Sequence, residues 1–286
     1  MAPSSPVVAR WDLGLRLRER RELLGLAGTR ASKLIGLSPT FLSDVESGKK
    51  NVPEAKLGQI AAAYEFNEDE TAELEELREV ARHRGWWSKF SGLFAPEVLR
   101  FFGLEHGAET ILTFNSSLIH GLLQTREYAQ AIIESGSPNA RLAEAGRRVE
   151  ARLTRQRRLG GDDPLRLITV LSEAALRQQI GGPAVLRGQL LHLAQRIEEH
   201  PASLTVLIVP FAAPGHDALD GSFHVLSFPK PNLPSVAWVE MVTSMQLIED
   251  PVQVKEYDIA HASATDVALS RADSLELIKQ TARDLE

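Results

Sequence analysis

Short polar side chains lie close together in residues 36–50, which run GLSPTFLSDVESGKK. Ser43 and Asp44 follow Thr40 by three and four positions, so a helix would carry all three on one face. Leu42 and Val45 would then lie on the opposite face and point inward. Hydroxyl and carboxylate groups on an exposed helix face can form hydrogen bonds with base edges of duplex DNA. The sequence therefore predicts Thr40, Ser43 and Asp44 as base-edge contacts.

Local signals mark the ends of that helix. Ser38 is a residue type that caps helix N-termini, Pro39 suits the first helical position, and Gly48 ends the segment after Glu46. These signals predict a helix from Pro39 to Glu46. The elements that must position it are further short helices with one shared core: one spaced by leucines between residues 13 and 24, one over 29–35, and one that opens at Pro53.

Residues 13–66 resemble the Cro/C1-type (xenobiotic-response-element family) helix-turn-helix domain. The matching letters are LGLRLRERRELLGL at 13–26, KLIGLSPTFLSDVESGK at 33–49 and LGQIAAAYEF at 57–66. The resemblance implies that the third helix enters the major groove of double-stranded DNA. It also implies backbone-phosphate contacts from residues at the ends of the helices, namely Ser38, Lys49, Lys50 and Asn51.

The second helix departs from the family pattern. The family usually carries a glutamine with acidic neighbours where this chain has Gly28, Thr29 and Arg30, so Thr29 or Arg30 is expected to make the phosphate contact instead. Asp44 would repel phosphate. It is expected either to accept a hydrogen bond from a cytosine amine or to pair with a nearby arginine.

Charge and composition agree with a reader domain on a separate body. Between Arg10 and Gly58 ten Lys or Arg and six Asp or Glu give a net charge of +4, whereas the whole chain carries −6. The chain has 286 residues, enough for two domains, and it has no cysteine. It shows neither a secretory signal nor a long apolar run, so a cytoplasmic protein without membrane contact is expected.

Motifs of common enzymes are not found in the sequence. GxSxG, GxGxxG, HExxH and the phosphate-binding loop are all missing, and the eight histidines show no metal-like spacing. A non-enzymatic protein without a metal or cofactor is therefore predicted.

The chain after residue 92 changes its pattern from helical to mixed. Helices are predicted over 96–102, 106–114, 125–135, 139–159, 173–180, 184–200, 252–269 and 273–285. Four short β-branched runs, at 165–171, 204–210, 223–228 and 236–241, predict strands. The predicted fold class is thus an all-α helix-turn-helix N-terminal domain plus an α/β (α+β) C-terminal domain with about four strands.

From about Trp86 to Arg271 the chain resembles the uncharacterised C-terminal domain of actinobacterial helix-turn-helix regulators described as antitoxin-like. The carrying motifs are RHRGWW at 82–87, GLLQTREYAQAII at 121–133, RLTRQRRL at 152–159, SEAALRQQIGGP at 172–183, RGQLLHL at 187–193, VLIVPF at 206–211 and GSFHVLSF at 221–228. His120 stands where the family usually has proline before the GLLQT motif. The resemblance implies a transcriptional regulator, often encoded beside a small partner protein.

Several polar residues of this region form a predicted partner or ligand region. Gln124 and Tyr128 either pack or point into a pocket, and His216 lies in a loop, 211–221, that is expected to rim a cleft. Glu240 in a strand needs an arginine partner or a ligand amine. Arg152 and Arg155 belong to an arginine cluster that is a second DNA contact, an anchor for an acidic partner, or a solvated face.

The domain organisation follows from these patterns: a flexible tail over 1–10, the helix-turn-helix domain over 11–66, a helical connector over 67–92, and a regulatory and dimerisation domain over 93–286. The predicted function is sequence-specific DNA-binding transcriptional regulation by a homodimer, because one reader helix covers too few base pairs. The alternatives are an antitoxin-like module that sequesters a small partner protein, and a small-molecule sensor whose effector is unknown.

Overall fold

A computed structural model describes residues 2–136, 142–241 and 244–286. The chain divides into a first unit, Pro3–Lys89, and a second unit, Phe90–Glu286. Five α-helices build the first unit: α1 (Pro6–Leu23), α2 (Gly28–Leu34), α3 (Pro39–Glu46), α4 (Glu54–Ala63) and α5 (Glu68–Arg82). Their shared core contains Leu13, Leu17, Ile35, Leu42 and Ile60.

The predicted bounds of α3 are confirmed. The helix runs from Pro39 to Glu46, and the side chain of Ser38 accepts a hydrogen bond from the backbone N–H of Phe41. Gly48 follows with a φ of +66°, a conformation that glycine adopts without strain. The cap and the glycine therefore act here as the local sequence pattern predicted.

Two boundaries of the first unit differ from the prediction. Residues 6–10, predicted as a flexible tail, form the first turns of α1, because Ser5 caps the helix and Pro6 opens it. Residues 68–82 were predicted to lie in a helical connector. They do form a helix, α5, but its Leu74, Leu77 and Ala81 pack in the same core as α1. The apolar side of the charged helix α5 therefore packs against the other helices of the first unit.

The second unit combines helices with one sheet. Its helices are α6 (Pro96–Gly107), α7 (Arg126–Gly136), α8 (Ala145–Gln156), α9 (Ala174–Arg177), α10 (Pro183–Glu199), α11 (Pro251–Asp266) and α12 (Arg271–Arg283). Its strands are β1 (Thr110–Asn115), β2 (Arg166–Ser172), β3 (Leu204–Val209), β4 (Phe223–Ser227), β5 (Val236–Glu240) and β6 (Met245–Ile248). The predicted helix over 139–159 corresponds to α8 in its later part, while 139–141 lie outside the described residues.

The sheet is mixed and has six strands in the order β3-β2-β1-β4-β5-β6. Strands β1, β2 and β3 pair in parallel, whereas β4, β5 and β6 are added in antiparallel fashion. The predicted count of about four strands is therefore wrong. The helix predicted over 106–114 is also wrong, because α6 ends at Gly107 and Thr110 begins a strand hydrogen-bonded on both sides. The short edge strand β6 was missed.

The two faces of the sheet differ in chemistry. One face is apolar and packs Phe114, Val170 and Val225 against residues of α11 such as Val254 and Ala264. On the other face, Thr113, His224 and Trp238 lie side by side on neighbouring strands. Among the helices of the described ranges, none has both the length and the hydropathy needed to cross a membrane.

Candidate functional site

Helix α3 presents the predicted polar face to solvent. Thr40 and Ser43 are exposed, while Leu42 and Val45 on the other side retain only 2% and 1% of their accessible surface. The Ser38 hydroxyl accepts from Phe41 and still has a proton to donate. The side chains that would approach base edges are therefore accessible to solvent.

The inner side of α3 is held at very short range by α1. A Cβ added to Gly14 would lie 2.4 Å from the carbonyl oxygen of Val45, and one added to Gly48 would lie 2.7 Å from the Cα atom of Trp11. Both distances are shorter than real Cβ contacts allow. Because glycine has no side chain at these two positions, the backbone of α1 can contact the backbone at the C-terminal end of α3.

A buried ion pair ties the same two helices together. Arg21 of α1 donates from Nε and from its second terminal nitrogen to the two carboxylate oxygens of Glu46, over 2.7 and 2.9 Å. The side chains expose only 11% and 9% of their surface. Hydrogen bonding to Glu46 raises the pKa of Arg21 against the opposing effect of burial. This bidentate pair fixes the C-terminal end of α3.

The remaining predicted contacts after α3 lie on the surface. Lys49, Lys50 and Asn51 are exposed. The Lys50 ammonium lies 2.8 Å from the carboxylate of Asp44 and 5.2 Å from the centre of the Phe41 ring. Asp44, expected to face cytosine or an arginine, is thus half-buried and paired with a lysine. While this ion pair is formed, the Lys50 ammonium is not available to a DNA phosphate.

The start of α2 is open. Ala27 precedes the helix and provides no side-chain cap, and both Thr29 and Arg30 in the first turn are exposed. Backbone N–H groups at an uncapped helix start can donate hydrogen bonds to a phosphate oxygen, and a neighbouring cation adds to the attraction. The structure thus places both predicted substitutes for the family's glutamine at the surface.

Some of the basic side chains of α1 are paired with acidic residues. Arg16 pairs with Asp12 and with Glu73 of α5, and Arg20 pairs with Glu70 of α5. The acidic residues of α5 therefore neutralise part of α1. Lys49 and Arg30 remain exposed cations of the helix-turn-helix.

In the second unit the arginine cluster divides: Arg147 and Arg157 are exposed, whereas Arg155 and Arg158 point inward. Arg155 donates to both carboxylate oxygens of Glu105 on α6 over 2.7 Å, and Glu105 is 2% exposed. Just after α8, Arg158 donates to three carbonyl oxygens, those of His106, Ala108 and Asp163. Arg155 and Arg158 are therefore hydrogen-bonded within the second unit.

Arg152 has a different environment from its neighbours. One terminal nitrogen donates to the amide oxygen of Gln124 over 2.5 Å, and Gln124 in turn donates to the carbonyl of Ile119 over 2.6 Å. Burial, and to a lesser degree the charge of Arg155, lower the pKa of Arg152 to about 10. The side chain is thus a partly buried cation with one strong hydrogen bond.

Two histidines missed by sequence reasoning lie beside it. The imidazole nitrogens of His120 (Nε2) and His224 (Nδ1) are 3.3 Å apart, and His120 is 1% exposed. Burial lowers the pKa of both residues, that of His120 well below its ordinary value. The departure of His120 from the usual proline was the only sequence signal for this pair.

Glu240 borders the same group at the surface. Its carboxylate is exposed and accepts a hydrogen bond from the indole N–H of Trp238 over 2.9 Å, and Trp238 stacks on Phe101 at 4.7 Å. Its charge acts on Arg152, Arg155 and His224. The structure therefore brings together five of the six residues predicted for a partner or ligand region: Gln124, Tyr128, Arg152, Arg155 and Glu240.

The sixth, His216, lies on the opposite face of the sheet. It is 9% exposed, accepts a hydrogen bond from the amide of Ala218, and packs edge-on against Phe114. The later part of its loop, with Asp217, Asp220 and Gly221, borders a cavity of about 460 Å³ that α11 completes. The loop therefore rims a cavity as predicted, although His216 itself serves the core.

The two units match two separate family models. A model described as "Helix-turn-helix domain" matches residues 12–74, and a model described as "Domain of unknown function (DUF5753)" matches residues 98–280. No curated protein and no solved structure matches the chain. The first match agrees with the geometry of α2 and α3 and indicates DNA binding by the first unit.

Proposed function

The chain belongs to the family described as "Domain of unknown function (DUF5753)" and carries a helix-turn-helix domain before that region, and from this premise we propose that it is a sequence-specific DNA-binding transcriptional regulator. The first unit reads the operator. The second unit dimerises the protein and senses a signal or partner that sets operator affinity.

The exposed face of α3 is the observation that carries this proposal. Thr40 and Ser43 project from a helix whose opposite side is locked by Gly14, Gly48 and the Arg21–Glu46 pair. A reading helix must hold its side chains in a defined position, because a bidentate or paired base contact tolerates little displacement. Lys49 at one end and Arg30 at the other supply charge for phosphates on both sides.

Dimerisation is part of the proposal because the reader is small. A single eight-residue helix contacts only a few base pairs, which is too short a site for useful discrimination in a genome. Two copies on half-sites about one helical turn apart, roughly 34–36 Å, would supply it. Genome-wide footprinting of the tagged protein measures the operator and its half-site spacing together.

Substitutions in the two classes of contact test the assignment in vitro. The Lys49→Ala/Lys50→Ala variant should bind all duplexes more weakly and should show a flatter dependence of log K on log salt, by about one to two units of slope. Thr40→Ala and Ser43→Ala should instead change the preferred sequence, because a lost base contact costs discrimination of about 1–3 kcal/mol. Both are measured by titration of the operator and of a random duplex at several salt concentrations.

The exposed Lys255, on α11 of the second unit, offers a control for general loss of charge. Its replacement by alanine should leave both the salt slope and the sequence preference unchanged. If the full chain showed no preference for any footprinted promoter over random duplex at moderate salt, the proposed function would be wrong.

An antitoxin-like adaptor for a small protein is a second candidate function. Phe211 and Leu219 expose 67% and 64% of their surface on the loop that follows β3. Exposed apolar side chains mark a protein contact site where they form one continuous patch. Co-purification with the product of the adjacent gene, lost in a Phe211→Ser/Leu219→Ser variant, would favour this function.

A further inference from the structure

A group of polar side chains lies in the second unit, on the sheet face opposite α11 and outside the helix-turn-helix. We call it the polar cluster: Gln124, Tyr128, Arg152, His120, His224 and Glu240. Its outer side is accessible, since Glu240 is exposed and Arg152 and His224 are half-buried, whereas Tyr128 and His120 at its inner side are 0% and 1% exposed. All six residues belong to the second unit.

The hydrogen bonding of this cluster is incomplete. Among the described residues, Arg152 makes one hydrogen bond, to Gln124, whereas Arg155 makes two to Glu105 and Arg158 makes three to carbonyl oxygens. The hydroxyl of the fully buried Tyr128 has no hydrogen-bond partner of good geometry among the described residues. Burying polar groups without partners costs free energy, so an acceptor that reaches the unused donors of Arg152 would lower that cost.

The charges of the cluster are separated. Glu105 neutralises Arg155 directly, but Arg152 and Glu240 attract each other without either being part of an ion pair among the described residues. One cation and one anion therefore face the same accessible surface. The pair formed by His120 and His224 is neutral, because burial lowers the pKa of both rings. It therefore adds hydrogen-bonding groups without adding charge.

We propose that the polar cluster binds a small zwitterion of the free amino-acid class. The ligand's carboxylate accepts from the unused donors of Arg152, and its ammonium donates to the carboxylate of Glu240. His224 supplies a ring nitrogen that is not bonded to His120. A zwitterion matches both charges, while a simple acid would leave Glu240 unpaired and a simple amine would leave Arg152 unpaired.

The proposal rests on the sensing role of the second unit and not on the contacts of α3. The effect of the ligand on operator binding is therefore a separate measurement. A chain that binds the ligand but no DNA would refute the proposed function alone, and a chain that binds DNA but no ligand would refute this inference alone.

The test uses the full chain and matched ligands. Isothermal titration calorimetry at millimolar ligand should detect binding of at least one of the standard free amino acids. Its N-acetyl derivative lacks the ammonium charge and its methyl ester lacks the carboxylate. Each derivative should bind about tenfold to a hundredfold more weakly, because each loses a hydrogen bond to a charged group.

Variants of the chain complete the test. Glu240→Gln and Arg152→Gln should weaken the same binding by a similar factor, and Arg157→Gln, an exposed residue at the end of α8, is the control that should leave it unchanged. Glu240 is exposed, so this variant is expected to fold even if Arg152→Gln does not. The inference is overturned if no free amino acid binds, or if binding is the same in Glu240→Gln as in the unaltered chain.

Discussion

Asp44 and Lys50 form an ion pair of 2.8 Å between the outer part of α3 and the segment that follows it. The lysine is half-exposed and also lies over the Phe41 ring. Duplex phosphates and the Asp44 carboxylate thus compete for one ammonium group. The pair moderates the attraction of the first unit for DNA of any sequence.

The Asp44→Asn variant should therefore bind DNA more tightly without regard to sequence. The change removes a charge that repels phosphate and releases Lys50, so the slope of log K against log salt should become steeper by about one. Fluorescence anisotropy with a random duplex measures both quantities. Asp69→Asn removes the same charge from an exposed position on α5 and should leave the slope unchanged; equal slopes in the two variants would contradict the competition.

Gly14→Ala should destabilise the first unit and impair operator binding. The new methyl group would lie 2.4 Å from the carbonyl oxygen of Val45 and 2.8 Å from that of Glu46, so α1 and α3 must move apart. Overpacking of this kind costs about 1–3 kcal/mol in the free energy of unfolding. Chemical denaturation and operator titration measure the two effects.

Gly58→Ala provides the matched control in the same unit. Gly58 also lies within a helix, and nothing lies within 4 Å of a Cβ added there. This substitution should raise stability by about 0.5–1 kcal/mol, because alanine favours a helix interior over glycine. If both variants were equally stable, close approach of α1 and α3 would not be the reason for glycine at position 14.

Arg21→Met should lower the free energy of unfolding of the first unit by about 3–5 kcal/mol, because it leaves the buried Glu46 carboxylate without its partner. Adding Glu46→Leu should recover most of that loss, since no uncompensated charge then remains. Arg18→Met, which breaks the exposed pair with Glu22, should cost no more than about 1 kcal/mol. Urea denaturation of the unaltered chain and the three variants measures these differences. A double variant as unstable as Arg21→Met would contradict the expected recovery.

The histidine pair makes the second unit sensitive to acid. Burial lowers the pKa of His120 and His224, so the unfolded chain takes up protons below its own histidine pKa of about 6.5 while the folded chain does not. Stability is thus fully present above that pH and is lost as the pH falls through it, by about 1.4 kcal/mol per pH unit for each histidine. The charged groups around His224 are Glu240, Glu105 and Arg155, with the His120 ring against it.

Hydrogen exchange of the β4 amides between pH 7 and 5, corrected for intrinsic rates, measures this slope. His120→Gln and His224→Gln should each reduce it, and His83→Gln, an exposed residue of the first unit, should not. Burial also lowers the pKa of His106, His192 and His261, which accounts for the slope that remains. An unchanged slope in both variants would exclude the pair as its source.

The helix-turn-helix was open to prediction because its signals are local. The cap at Ser38, the proline after it and Gly48 act on backbone groups within a few residues, so the bounds of α3 follow from the neighbouring letters alone. The same holds for most strands and helices of the second unit. Strands β1 and β6 were exceptions. Thr110–Asn115 continues an apolar helical run, and only pairing with β2 and β4 makes it a strand.

What the amino-acid order determined by itself was thus the type and extent of most elements and the polar face of one helix. Tertiary structure alone decided the partners of the charged side chains. Arg155 meets Glu105 from 50 positions away and His120 meets His224 from 104 positions away, so Arg155 turns inward and the histidine pair forms. No local pattern encodes such pairs, because they depend on how the helices pack on a sheet whose strand order brings distant segments together.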